Sequence, residues 1–395
     1  MALTNFQEHF DNTYQEVFQK TLVAKPIMNT RFESKLSYGE SVERFAYDIS
    51  GVRVRTVTRG QASTVDAVTD STELLTINLE KEAVFHISDG EMTQAGPLNP
   101  GSVIGGQIGL KVAIDLDARC FAETLNASFD FDNGDLTTLA STGTPISLTS
   151  TTVPQMTSRM AAKLRRRNNI DTSANMAFVV DSYAASDIAQ YLMSKNIDLA
   201  GYVFKNGFSG PIDNAELYVS ENLTGEVLLT GSGVFSNTET IVINGITFTA
   251  VSSIGSTAGN FLIGANLAAS LTNLAGLINA PGTTSATQVA LSSADQEVVS
   301  NWAATATATT ISIVMTGSGR PIVSETGANL AVTKAFFHAY FGKKGAIDLV
   351  IQDMKKVDMR PTSDRRGVNV FSSYLAGIKT FADGAKKFLD VHIAA

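Results

Sequence analysis

Residues 37–93 restrict the fold more than any other part of this sequence, because they alternate like strands yet have nothing of their own to lie against. Val52, Val54 and Val57 carry Arg53, Arg55 and Arg59 between and after them, close to the period of two of a strand with one wet face. Gly60-Gln61-Ala62-Ser63 supplies a turn, and Leu74, Leu75, Ile77 and Leu79 carry a second extended run as far as His86-Ile87-Ser88-Asp89. A ribbon of two strands cannot bury both faces within its own chain, and an isolated hairpin is only marginally stable in water. Other protein must cover it. The expectation is a chain that completes itself by assembly.

The rest of the chain has ample material for a core. Its 395 residues are 44% apolar and 17% charged, which excludes general disorder and suggests two or three domains. Thirty basic against thirty-eight acidic side chains give −8, which argues against a dedicated nucleic-acid binder held by phosphate neutralisation. The single cysteine, Cys120, excludes an intrachain disulfide framework and reads as a small buried packing group beside Phe121.

Catalytic patterns are missing. There is no Walker loop, His-Glu-x-x-His, Gly-x-Ser-x-Gly or Cys-x-x-Cys, and Gly105, Gly106 and Gly109 follow no strand and so do not read as a phosphate loop. The histidines His9, His86, His338 and His392 lie far apart, none with an i, i+4 partner, and His86 with Asp89 lacks a third ligand. The pairs Asp115 with Asp117 and Asp130 with Asp132 read as solvated acids. A carbohydrate hydrolase needs two carboxylates converging across a cleft, and none is identifiable. The expectation is no enzyme, no catalytic residue, no cofactor and no metal.

Along the chain, Leu3, Phe6, Phe10, Tyr14, Val17 and Phe18 recur at helical steps before Pro26, as a helix packed on its own core or as an arm lying on a neighbour. Glu8 and Asp11 fall where an export signal needs an apolar core, so a soluble chain made inside the cell is expected. A long helix is expected from Val103 to Asn126, with Ile104, Ile108, Val112, Leu116, Phe121 and Leu125 toward one face. Pro154 opens a helix through Met156, Met160 and Leu164, and its basic end, Lys163 to Arg167, suits the helix dipole. A strand Met176–Val180 leads to Asp181 and Ser182 as caps of a helix bearing Ile188, Tyr191 and Leu192. Short strands follow near Gly201–Phe204 and Ala215–Ser220.

At about residue 226 the composition changes. Residues 226–332 hold only Glu226, Glu239, Asp295, Glu297, Arg320 and Glu325 as charged side chains. The uncharged run Thr240–Ala294 contains four asparagines and Pro281, with no stretch of about 20 predominantly apolar residues, so no membrane helix is expected. Asn244-Gly245 between Ile241-Val242-Ile243 and Ile246-Thr247-Phe248 signals a tight hairpin. Leu267, Leu271, Leu274 and Ile278 mark a helix, and Val289–Leu291 and Ile311–Met315 read as strands. The segment reads as a self-contained α+β insertion, after which Lys334–Lys344, Ile347–Ile351 and a polar, basic stretch from Lys355 to Gly367 resume the earlier character. Gly377–Phe381 and Phe388–Ile393 around Asp383-Gly384 read as a closing hairpin.

The order of these pieces resembles the major capsid protein of tailed bacteriophages, whose fold is shared with encapsulins and the herpesvirus capsid floor. The likeness is carried by Leu75-Thr76-Ile77-Asn78 through Ile87-Ser88-Asp89-Gly90-Glu91 leading to the helix with Ala113-Ile114-Asp115. Gly207-Phe208-Ser209-Gly210 with Leu217 to Leu223, and Tyr374 to Phe381 near the end, add to it. The resemblance implies an α+β capsid fold. Residues 1–36 would be an N-terminal arm, 37–93 an extended loop and its base, and 94–133 a peripheral domain with its spine helix. An axial domain would comprise 134–225 and 333–359, and 360–395 would return to the peripheral domain.

The segment 226–332 is similar to Thr/Gly/Ala-rich modules of phage virion proteins and would be an inserted surface domain. Implied partners are further copies of the chain in pentamers and hexamers, scaffolding and decoration proteins, and packaged double-stranded DNA by proximity, with no membrane. The implied location is the virion, after assembly in the host cytoplasm. Contact candidates between subunits are Phe6, Phe10, Tyr14, Phe18, Arg53, Arg55, Arg59, Arg365 and Arg366. Cross-linking through a loop lysine, known in some relatives, is not carried over, because the loop tip holds arginines and lysines stand only at its margins, Lys35 and Lys81. A tail-tube or baseplate component is the alternative.

Overall fold

A computed structural model describes residues 22–33, 39–48, 52–62, 65–90, 100–195, 209–212, 215–361 and 366–395. The N-terminal aromatic run Phe6, Phe10, Tyr14 and Phe18, together with Lys35, Arg365 and the strand expected at Gly201–Phe204, lies outside the described residues. The chain is mixed α+β and divides into two units.

The first unit takes in residues 28–109 and 345–384 among its parts. Strands β1 (Ser41–Asp48) and β2 (Thr69–Thr76) pair antiparallel, Ser41 opposite Thr76 and Asp48 opposite Thr69, as a sheet of two strands. β3 (Leu79–Ile87) leaves them for another sheet, pairing with the penultimate strand of the chain. The expected second extended run is therefore two strands, split where Ile77 turns inward to be buried and donates its N–H to the Glu40 carbonyl. The Val52–Arg59 alternation lies at the ribbon's tip and not in its ladder.

The second unit holds most of the helices and a sheet of nine strands. α1 (Pro100–Ala122), which belongs to this unit from Leu110 onward, begins three residues before the expected start, since proline suits the first helical position and has no N–H to satisfy. A 3₁₀ turn, Glu123–Asn126, follows it. Val112, Leu116, Cys120 and Phe121 are buried, whereas Leu125 is exposed because this tighter turn rotates it off the apolar face. β4 (Asp130–Phe131) precedes α2 (Thr152–Asn168), then β5 (Met176–Val180) and α3 (Ser182–Lys195). Asp181 Oδ1 accepts from the Ala184 N–H, the cap expected from sequence. β6 (Ser209–Ile212), β7 (Ala215–Val219) and β8 (Thr224–Gly231) follow, β7 parallel to β5.

The charge-poor stretch forms β9 (Thr240–Ile243), β10 (Ile246–Val251), β11 (Asn260–Leu262), α4 (Leu267–Asn279), α5 (Ser293–Val299), β12 (Trp302–Ala306), β13 (Thr310–Met315) and β14 (Val323–Glu325). Asn244 and Gly245 have φ of 49° and 84°, so β9 and β10 close through the primed turn their sequence predicts. Leu271, Leu274, Leu277 and Ile278 of α4 pack with Phe248, Phe261, Ile311 and Trp302 in one apolar cluster. Val289–Leu291 is not a strand. Gln288 makes a single bridge to Phe261, and its side-chain amide is spent on the Ala280 and Thr283 carbonyls.

β15 (Leu330–Lys343) organises the large sheet. It pairs with β8 and β5 and also with β18 (Phe388–Ala394), while β12 and β13 extend the sheet beyond β8. The borders of 226–332 thus fall inside β8 and β15. Between β15 and β18 in sequence, β16 (Asp348–Pro361) and β17 (Val368–Lys379) pair with each other, and β17 pairs with β3, all in the first unit. The polar stretch expected after Lys355 is strand as far as Pro361.

The closing hairpin is also corrected, since β17 and β18 belong to different sheets. Asp383-Gly384 lies in a helical turn, α6 (Ala382–Ala385), which redirects the chain instead of reversing it. A Cβ on Gly384 would stand 2.2 Å from the Ala346 carbonyl, so that turn needs glycine for space.

Candidate functional site

Two features carry chemistry or contact potential, one in each unit. In the first unit the ribbon's base is anchored. Leu75 and Ile77 are buried with Phe32, Val350 and Phe381, and Val42 packs against them. Arg44 lies 2.7 Å from Asp383 with its guanidinium over the Phe381 ring, and Glu73 accepts from the Ala382 N–H.

Beyond this base the apolar side chains face outward. Seven of the sixteen exposed large apolar side chains among the described residues lie on this one hairpin: Phe45, Val52, Val54, Val57, Val65, Val68 and Leu74. Val54 is as open as in an extended peptide, at 105% relative exposure. The tip is nevertheless shaped. Asp66 accepts from the Arg53 N–H at 2.9 Å and holds the Arg55 guanidinium at 2.5 Å, while Gln61 N–H closes on the Thr58 carbonyl with Gly60 at φ 84°. Arg53 and Arg59 are exposed, as is Arg366 on the loop before β17. Residues 52–62 contain three arginines and no acid in a chain of net charge −8. The tip is therefore locally basic and carries exposed valines.

In the second unit, four titratable side chains meet on one face of the large sheet. His338 and His392 are direct cross-strand partners of β15 and β18, and Asp390 stands two residues from His392 on the same face. Glu226 of β8 is opposite Phe336, next on that face to His338. His338 Nδ1 lies 2.7 Å from Asp390 Oδ2, His392 Nε2 lies 3.3 Å from the same oxygen, and His338 Nε2 lies 3.3 Å from Glu226 Oε2. Ser312 donates to the other Glu226 oxygen at 2.9 Å. Burial opposes charge on His338, but the Asp390 and Glu226 carboxylates outweigh it and hold its pKa up at about 10. Asp390 is correspondingly lowered: burial would raise it, and His338 overrides that.

Distance in sequence hid this cluster from an i, i+4 search. The available signal was of another period: Asp390-x-His392 within an alternating strand puts both side chains on one face. His86 is apart from the cluster, in the first unit, with Nδ1 2.9 Å from Asn369 Oδ1.

Two expectations about charges are corrected. Asp117 and Asp132 are buried, not solvated. Asp117 accepts the N–H groups of Val23 and Ala24, and Asp132 accepts from Gly134 N, Ser141 Oγ, Thr142 N and Gly143 N. Lys163 also leaves the basic helix end. It turns inward to Asp135 at 2.6 Å, both side chains almost fully covered, while Arg165, Arg166 and Arg167 stay in the last turn of α2. In each case several buried backbone or side-chain groups need a charged partner, which a local window does not reveal.

No protein-family model matches the chain, and no curated protein does. Among solved structures it is similar to the capsid of the cyanophage P-SCSP1u, with 11% identity, 94% of this chain and 88% of the other covered, and a TM-score of 0.49. It is similar to the mature capsid of bacteriophage PhiM1, with 10% identity, 90% and 82% covered, and a TM-score of 0.45. A structure from Mycobacterium phage Che8 gives 15% identity, 92% and 89% covered, and a TM-score of 0.43. Solved proteins that this chain resembles in three dimensions include phage capsid proteins.

Proposed function

We propose that the chain is a phage coat protein whose copies form the pentamers and hexamers of an icosahedral shell around packaged DNA. The observation that carries this reading is the β1–β2 ribbon, anchored at one end and apolar on its open length. Seven exposed side chains at about 1.5 kcal/mol each give about 10 kcal/mol if fully covered. That falls within the roughly 4–15 kcal/mol that association costs. A single ribbon contact is therefore weak, and a ring in which every copy gives and receives a ribbon is not.

In this reading the arginine-rich tip rests on acidic surface of the next copy, and Arg365 and Arg366 pair with carboxylates of a neighbour. Residues 1–36 serve as the arm, 94–133 as the peripheral domain, 134–225 with 333–359 as the axial domain, and 226–332 as a module on the outer surface. An acidic average surface limits sticking to DNA during filling. Scaffolding and decoration proteins are further partners of such a shell. The chemistry is mechanical and needs no catalytic group.

Electron microscopy of the purified chain tests this reading. Closed shells or five- and six-membered rings are expected. Open tubes would assign the chain to a tail tube instead, and dispersed single chains at high concentration would overturn both readings.

A further inference from the structure

We propose that His338, Asp390 and His392 form a binding site for one divalent transition-metal ion of the zinc class. The inference concerns the second unit alone and goes beyond the shell reading. One ligand atom from each of the three residues lies within 4.8 Å of the other two. Asp390 and His338 are both more than nine-tenths buried, and Asp390 Oδ1 has no hydrogen-bond partner. A buried carboxylate oxygen without a donor, beside two imidazoles, offers a lone pair to a cation.

The surroundings are built as a metal site is built. Both histidines sit on a paired ladder, so their spacing is fixed by backbone hydrogen bonds before any ion arrives. With Nδ1 of His338 turned to Asp390, its Nε2 faces Glu226, and Ser312 holds Glu226 in place. A carboxylate on the far nitrogen of a ligating imidazole fixes its orientation and raises its basicity, and an ion bound there would replace the proton shared by His338 Nδ1 and Asp390 Oδ2, releasing it to solvent. The Phe336 ring lies 5.0 Å from the His338 ring and 4.8 Å from that of His392, giving the site an apolar wall. Two imidazoles and one carboxylate select a borderline ion such as Zn²⁺ over Mg²⁺ or Ca²⁺, which take oxygen ligands. An ion there would tie β15 to β18, the last strand of the chain.

The test uses the full chain without a polyhistidine tag, treated with chelator, dialysed and titrated calorimetrically with Zn²⁺ alone. One Zn²⁺ per chain is expected. Co²⁺ should bind in the same ratio and develop visible d–d absorption that Zn²⁺ displaces, while Mg²⁺ in large excess does not compete. His392→Gln should abolish uptake with the Trp302 emission unchanged. Glu226→Gln should weaken it ~10–100-fold, and His86→Gln, in the other unit, should leave it intact. If His392→Gln does not fold, the Glu226→Gln titration decides, and unchanged affinity overturns the site. No uptake by the native chain, or equal uptake by a folded His392→Gln chain, also overturns it.

Discussion

Replacing Lys163 by Met should be among the most damaging single changes in the second unit. The Lys163 ammonium is almost fully covered, 2.6 Å from Asp135 Oδ2, and also donates to the Asp130 carbonyl. Among the described residues Asp135 has no other ion-pair partner, and its second oxygen already lacks a donor. Met fills the space of the lysine stem, so the loss is electrostatic: a buried carboxylate left without its counter-ion. Breaking such a pair costs ~3–5 kcal/mol, against a folding stability of about 5–15 kcal/mol for a domain. At a urea slope near ~2 kcal/mol/M, the midpoint should fall by about 2 M.

Urea titration read at Trp302, the only tryptophan and buried in this unit, measures it. Adding Asp135→Asn removes the stranded charge and keeps an acceptor for the Asp132 N–H, so the double variant should regain most of the loss. A midpoint shift below about 0.5 M for Lys163→Met, or no recovery in the double variant, would refute the buried-pair reasoning.

Other outcomes follow from equally local causes. Asp117, buried and accepting two backbone N–H groups, has its pKa raised by burial to about 6. Between an unfolded value near 3.8 and that folded value the native state binds more protons, so Asp117 makes stability fall as pH rises from about 4 to about 6, by about 3 kcal/mol. Asp117→Asn should remove that slope, so the difference between native and variant urea midpoints should change across this window; a constant difference would show that Asp117 does not titrate there. Gly245→Ala adds a Cβ that meets nothing within 4 Å but sits at φ 84°, so about 1 kcal/mol of backbone strain is expected at the Trp302 transition. An unchanged midpoint would mean the turn relaxes freely.

Local structure was legible in the sequence where its cause is local. The Asn244-Gly245 turn, the Leu267–Ile278 helix and the Asp181 cap each depend on a few neighbouring residues, and all three form as read. Partners across a sheet are another matter. Nothing within a window tells β17 that it pairs with β3 or β18 that it pairs with β15, so an apparent closing hairpin became two strands in two sheets. The ribbon was legible as a ribbon, while the position of its ladder was not. The alternating valines looked like strand because period two says nothing about which residues have a partner.

Lys163 read as one of a cationic run because its burial depends on Asp135, twenty-eight residues earlier. His338 and Asp390 meet across fifty-two residues. The composition change near 226 is real, yet it does not coincide with a strand boundary, since β8 opens at Thr224.

Sedimentation velocity, comparing the native chain with one whose residues 52–62 are replaced by a Gly-Ser linker, tests the central claim most directly. The account predicts that the native chain sediments as particles many times its 41.9 kDa mass, and that the linker variant stays single with its Trp302 emission intact. A native chain that remains single at every concentration, or a linker variant that assembles as well as the native one, would contradict it.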